Sequence, residues 1–134
     1  MSVYRCAGCG AVNRTTRSVR AAACYRCRRL LDTSGRPQSV DAAALVTTVL
    51  SSPAPVLVDF ERRETDVPAL AAVGMARAGE LVVLKVDPGE EPAAAEAYGI
   101  RSTPTLVLFS GGAEIARRQG SAQDVSRWVE AAAR

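Results

Sequence analysis

Pro55-Val56-Leu57-Val58-Asp59-Phe60 is an apolar run interrupted by one carboxylate. A short run of this kind between turn residues predicts a strand buried on both faces. Pro53 and Pro55 precede it, and the polar stretch Glu61 to Val67 follows. Upstream, Ser39 can cap a helix reaching about Leu50, with Leu45, Val46, Val49 and Leu50 as its apolar face. Downstream, a helix near Pro68–Ala78 has proline at its first turn and Gly79 as its stop. Leu81–Val86 reads as a second buried strand. Pro88-Gly89 turns the chain into a helix from about Glu91 to Tyr98, closed by Gly99. Thr105–Phe109 reads as a third strand, Gly111-Gly112 as a hairpin turn and Ala113–Gln119 as its antiparallel return. Ser121-Ala122-Gln123-Asp124 resembles a capping box for a last helix, on which Val125, Trp128 and Val129 are spaced for core packing. The order α-β-α-β-α-β-β-α predicts an α/β fold, a mixed sheet flanked by helices with right-handed crossovers.

Hydrophobic residues make up 48% of the 134-residue chain but aromatics only 4%, so alanine, valine and leucine must fill the core. Charge divides unevenly. Residues 1–36 carry eight arginines and one acid, Asp32, for +7, whereas residues 37–134 carry nine basic and thirteen acidic groups, for −4. Such asymmetry predicts two modules, 1–36 and 37–134, with the turn-rich stretch Asp32 to Gln38 as the linker. No 18-residue apolar segment exists, so no membrane span is expected, and the start has no apolar signal core. These features predict a cytoplasmic protein. The absence of histidine excludes histidine bases, triads and metal ligands.

All four cysteines fall within the first 27 residues, as Cys6-Ala7-Gly8-Cys9 and Cys24-Tyr25-Arg26-Cys27. Two residues between the thiols of each pair let both sulfurs turn to one point. Two such knuckles complete a tetrahedral four-thiolate shell for Zn²⁺. A module this small cannot fold on burial alone, and metal binding supplies the deficit. Iron and redox disulfides are the other readings of the pattern. Arginines beside Cys24 and Cys27 would also suit a redox switch that releases the metal.

Residues 53–134 resemble thioredoxin. The resemblance rests on Pro55–Phe60, Leu84-Lys85-Val86-Asp87, Tyr98-Gly99-Ile100-Arg101-Ser102-Thr103-Pro104-Thr105, and the Gly111-Gly112 hairpin with Gly120 beyond it. The whole chain is similar to the zinc-containing thioredoxin-2 type of bacteria. There too a Cys-x-x-Cys pair is followed by Ala-Val-Asn-Arg, here Ala11-Val12-Asn13-Arg14. The resemblance implies a thioredoxin fold preceded by a zinc ribbon. It also implies that Asp59 is a buried carboxylate near Lys85, that Pro104 is a cis-proline, and that Gly99, Thr103, Pro104 and Gly120 border a peptide-binding groove. The family's redox centre is Trp-Cys-Gly-Pro-Cys. Counting from Phe60, Thr65 stands at the attacking cysteine and Pro68 at the resolving one.

Dithiol exchange needs a thiolate nucleophile and a second thiol to release the mixed disulfide. Threonine and proline supply neither. The expectation is a redox-inactive protein- or peptide-binding module. Asp59 and Lys85 would persist as a buried ion pair. Glu61, Glu64 and Asp66, interrupted by Arg62 and Arg63, would form an acidic rim suited to a basic or mixed segment. A second reading is an oxidoreductase or redox sensor using the ribbon thiols. A third is nucleic-acid binding by the basic ribbon, not favoured because only Tyr4 and Tyr25 supply aromatic faces there.

Overall fold

Every residue of Val56–Phe60 is buried, as a central strand requires. The computed structural model describes residues 1–16, 22–65, 67–120 and 124–132. Its elements begin with β1 (Ser2–Arg5), β2 (Val12–Thr15), β3 (Gln38–Ser39), α1 (Ala42–Ser51) and β4 (Val56–Phe60). They continue with α2 (Pro68–Ala76), β5 (Val82–Val86), α3 (Pro92–Ala97), β6 (Thr105–Ser110), β7 (Ala113–Gln119) and α4 (Val125–Ala132). β1 and β2 form an antiparallel hairpin. The main sheet has the order β3-β5-β4-β6-β7, with β3 and β4 parallel to β5, and β6 antiparallel to both β4 and β7.

Strand alternation gives the sheet two apolar faces. Val56, Val58 and Phe60 of β4 join Leu84, Val86, Val107 and Phe109, under Leu45 and Val49 of α1 and Ala94 of α3. Tyr98 closes this layer with its ring 6.0 Å from Phe60 and 5.4 Å, edge-on, from Phe109. On the other face Leu57, Val83, Leu106 and Leu108 pack on Leu70 and Val73 of α2 and on Val125 and Val129 of α4, with Trp128 at the margin. Asp59 shares that second face by register, and so does its neighbour Lys85.

The N-terminal hairpin packs against the sheet. The Val3 N–H donates to the Gly79 carbonyl at 2.8 Å, and Val3 enters the first core. Arg5 donates to Thr48 Oγ1 at 3.1 Å and to Gln38 Oε1 at 2.6 Å, while Gln38 returns a bond to the Arg5 carbonyl. The segment that follows crosses α2 at a pair of glycines. A methyl on Gly35 or on Gly74 would be driven into the other's carbonyl oxygen, and Gly35 sits at φ +82.

Three expectations are corrected. Gln38 and Ser39, read as linker and cap, form an edge strand on Leu84 and Lys85. Asp41 caps α1 instead, accepting from the Ala44 N–H at 2.8 Å. The inward face of α1 is Leu45 and Val49 in the core with Thr48 bonded to Arg5, and Val46 and Leu50 are left 43% and 70% exposed. Ser121, Ala122 and Gln123 of the expected capping box lie outside the described residues; the carbonyl of Asp124, a residue at φ 58, accepts from the Trp128 N–H.

Candidate functional site

The two cysteine knuckles are built alike. In the first, the Cys6 N–H donates to the Ala11 carbonyl and the Gly10 N–H to the Cys6 carbonyl, both at 2.8 Å. In the second, the Cys24 N–H donates to the Arg29 carbonyl at 2.8 Å and the Arg28 N–H to the Cys24 carbonyl at 3.0 Å. Each turn places a left-handed residue after its second cysteine: Gly10 at φ 82 and Arg28 at φ 70. The four thiols then converge. All four Sγ atoms lie within 4.8 Å of one another, and the Cys6–Cys27 and Cys9–Cys24 sulfurs are each 3.6 Å apart. A tetrahedral four-thiolate ion with metal–sulfur bonds of ~2.3 Å has edges of ~3.8 Å, so the cluster fits a metal ion without large rearrangement. Cys6 and Cys24 are buried and Cys9 is exposed.

Asn13 joins the knuckles from the side. It is buried, its Nδ2 donates to the Ala11 carbonyl at 3.1 Å and to Cys24 Sγ at 3.5 Å, and its Oδ1 accepts from the Tyr25 N–H at 2.9 Å. It therefore orients one ligand and braces both turns. Sequence reasoning noted Asn13 within a motif and gave it no role; its burial, the deciding signal, needs the fold. Backbone N–H donors around Cys24, that of Cys27 foremost, draw its thiol down to about 6 against the opposing effect of burial.

Thr65 lies half-buried in the loop after β4, and Pro68 begins α2 exposed. The Lys85 ammonium donates to the Thr65 carbonyl at 2.9 Å. The expected Asp59–Lys85 ion pair is absent among the described residues: neither Asp59 oxygen has a hydrogen-bond partner, although the residue is 1% exposed. Burial first, and then the nearby Glu61 carboxylate, push the Asp59 carboxyl up to about 8, with Lys85 pulling weakly the other way. Asp59 thus keeps its proton to a higher pH than an ordinary carboxyl. The loop itself is pinned at Arg63, whose N–H donates to Asp87 Oδ2 at 2.9 Å and whose Nε lies 3.2 Å from Glu90 Oε1. Asp66 of the expected rim lies outside the described residues.

The Thr103–Pro104 peptide is cis. Thr103 is exposed beside it, and the Gly120 N–H donates to the Pro104 carbonyl at 3.0 Å. Arg117 of β7 reaches over to the Tyr98 and Gly99 carbonyls at 2.6 and 3.2 Å. Thus β7 and the turn after it tie Gly99, Pro104 and Gly120 to one end of the sheet. A concavity of 350 Å³ that sequence reasoning missed opens between the β3 edge and α2, with Pro37, Val67, Leu70, Met75 and Lys85 among its walls.

A sequence profile of the thioredoxin family matches residues 66–131. Thioredoxin 1 of the cyanobacterium Nostoc is 38% identical over 87 residues, covering 57% of this chain and 81% of its own. Thioredoxin of Mycobacterium tuberculosis is 37% identical over 87 residues, covering 61% of this chain and 75% of its own. Among solved structures, a variant thioredoxin from Halobacterium salinarum superposes with a TM-score of 0.62 at 27% identity, covering 77% of this chain and 96% of that one. No described helix is long and apolar enough to cross a membrane. With the sheet order, the cis peptide and the register of Asp59 in place, these likenesses establish that the chain belongs to the thioredoxin family.

Proposed function

We propose that this protein is a redox-inactive member of the thioredoxin family, of the zinc-containing type, that works by binding a protein or peptide. The observation that carries the reading is the location of sulfur. All four cysteines lie in one cluster at the N-terminus, and the loop between β4 and α2 contains none. Thr65 and Pro68 occupy the places of the family's cysteine pair, so neither the attacking nor the resolving thiol exists there. Cys6, Cys9, Cys24 and Cys27 would hold one Zn²⁺, for which the donor set and the sulfur spacing are suited. The ion would close the ribbon and supply folding free energy to a segment with a small core of its own. The end of the sheet around Thr103 and Pro104 and the basic ribbon are the surfaces left to engage a partner in the cytoplasm.

A second reading, a redox sensor, has one observation in its favour: Cys9 is exposed, with its sulfur 3.6 Å from that of Cys24. Reduction of insulin disulfides, with thioredoxin reductase and NADPH or with dithiothreitol, tests the main reading. Turnover no greater than that of a variant with all four cysteines changed to alanine is the expected result. Turnover above that control, in the metal-loaded protein, would refute it.

A further inference from the structure

The outward face of α1 is the most anomalous surface of the molecule. α1 has ten residues and no charged side chain. Ala43, Val46, Thr47 and Leu50 recur at the spacing of one helix face, and all four are exposed. An outward helix face normally carries charged and polar residues. Here it carries a largely apolar stripe about 10 Å long.

At its N-terminal end this stripe runs into a 340 Å³ cleft. Ala43, Ala44 and Thr47 form one wall, and Arg5, Gly10 and Arg26 of the ribbon are among those forming the other. Arg28 and Arg29 follow on the same knuckle, exposed, and Arg28 keeps its left-handed backbone. None of Arg26, Arg28 and Arg29 has an ion-pair partner among the described residues. Asp41 and Glu91, two acids at the N-terminal end of α1, both accept from the helix, Asp41 from the Ala44 N–H and Glu91 from the Ala42 N–H.

We propose that α1 and the second knuckle together form the docking surface, and that its occupant is an amphipathic helix of a partner protein bearing acidic residues at one end. The apolar side of that helix would lie along Val46 and Leu50, and its carboxylates would meet Arg26, Arg28 and Arg29. Charge selects this occupant. A second copy docking through α1 would bring only Asp41 and Glu91, both already engaged by backbone N–H groups of that helix. A nucleic acid would satisfy the arginines and leave the apolar stripe uncovered. This inference rests on the binding-module reading and adds α1 to the basic ribbon as a contact surface, separate from the end of the sheet around Thr103 and Pro104.

The test is fluorescence anisotropy on the full metal-loaded chain. The probe is a labelled alanine-rich helical peptide with leucine at alternating third and fourth positions and glutamates confined to one end. The same peptide with lysine for glutamate, and an oligothymidylate, serve as comparators, and sedimentation velocity reports self-association. Binding of the glutamate peptide alone is expected, weakened about tenfold or more by Leu50→Glu, by Val46→Glu and by Arg26→Glu, all exposed positions whose change should leave the unfolding midpoint unchanged. Four results would overturn the proposal: no binding, equal binding of the lysine peptide, binding of oligothymidylate that Leu50→Glu does not alter, or a dimer abolished by Leu50→Glu. Insulin turnover reads thiol exchange, and anisotropy reads peptide binding. An active reductase that still bound the peptide would sink the functional reading and leave the surface standing.

Discussion

Replacing Asp59 by asparagine should make the protein less sensitive to rising pH. The side chain is 1% exposed, both oxygens are unpartnered, and its carboxyl is pushed from 3.8 up to about 8. In the unfolded chain the carboxyl ionises near its ordinary value, while in the folded chain it keeps its proton until about pH 8. The folded state therefore binds more protons through this window, and stability falls as pH rises. Each pH unit removes about 1.4 kcal/mol, and the window spans roughly four units, so the whole loss is on the order of 5 kcal/mol. Above about pH 8 both states are ionised and the loss stops growing. The asparagine side chain does not titrate and is nearly isosteric with the one it replaces. Urea unfolding followed by Trp128 fluorescence at several pH values, for both proteins, reads the difference. The wild-type curve should fall relative to that of Asp59→Asn from mildly acidic pH to about pH 8 and then run parallel. Glu61→Gln should shift the end of the fall to lower pH, because Glu61 helps raise the Asp59 value. Curves parallel throughout, or a wild-type curve that rises relative to that of Asp59→Asn as pH increases, would refute this account of the buried carboxyl.

Asn13→Ala should weaken metal retention about 10- to 100-fold in chelator competition and lower stability by about 1–3 kcal/mol, since it strands the Tyr25 N–H and frees the Cys24 sulfur. Unchanged retention would show that the amide bonds do not orient the ligand. Gly74→Ala pits a helix-propensity gain of about 1 kcal/mol against a methyl pressed on the Gly35 carbonyl oxygen. A net loss of about 1–2 kcal/mol is expected in thermal unfolding, because backbone on backbone yields little; a more stable variant would mean that the segment around Gly35 is not held on α2.

The strands at 56–60, 82–86 and 105–110 are legible from sequence because strands buried on both faces must be apolar along their length, leaving few alternatives. The Gly111-Gly112 turn is legible for a similar reason: both residues take positive φ, as a two-residue hairpin demands. The thiol cluster follows from spacing alone. What is hidden depends on distant partners. Val46 and Leu50 look like core residues, yet Leu45 and Val49 enter the core and Thr48 is buried beside them, bonded to Arg5, 43 positions away. The edge strand at Gln38–Ser39 contains no strand-forming residue and exists because Leu84 and Lys85 offer an open edge. Asp59 and Lys85 are neighbours in register, yet the ammonium turns to the Thr65 carbonyl, and no local pattern reveals that choice.

Native mass spectrometry combined with thiol counting is the most direct test. One bound zinc per chain is predicted, with all four sulfurs withheld from alkylation until a chelator or denaturant is added. Two freely alkylated thiols, or a disulfide in the metal-free protein as isolated under reducing conditions, would contradict the assignment of every sulfur to the metal.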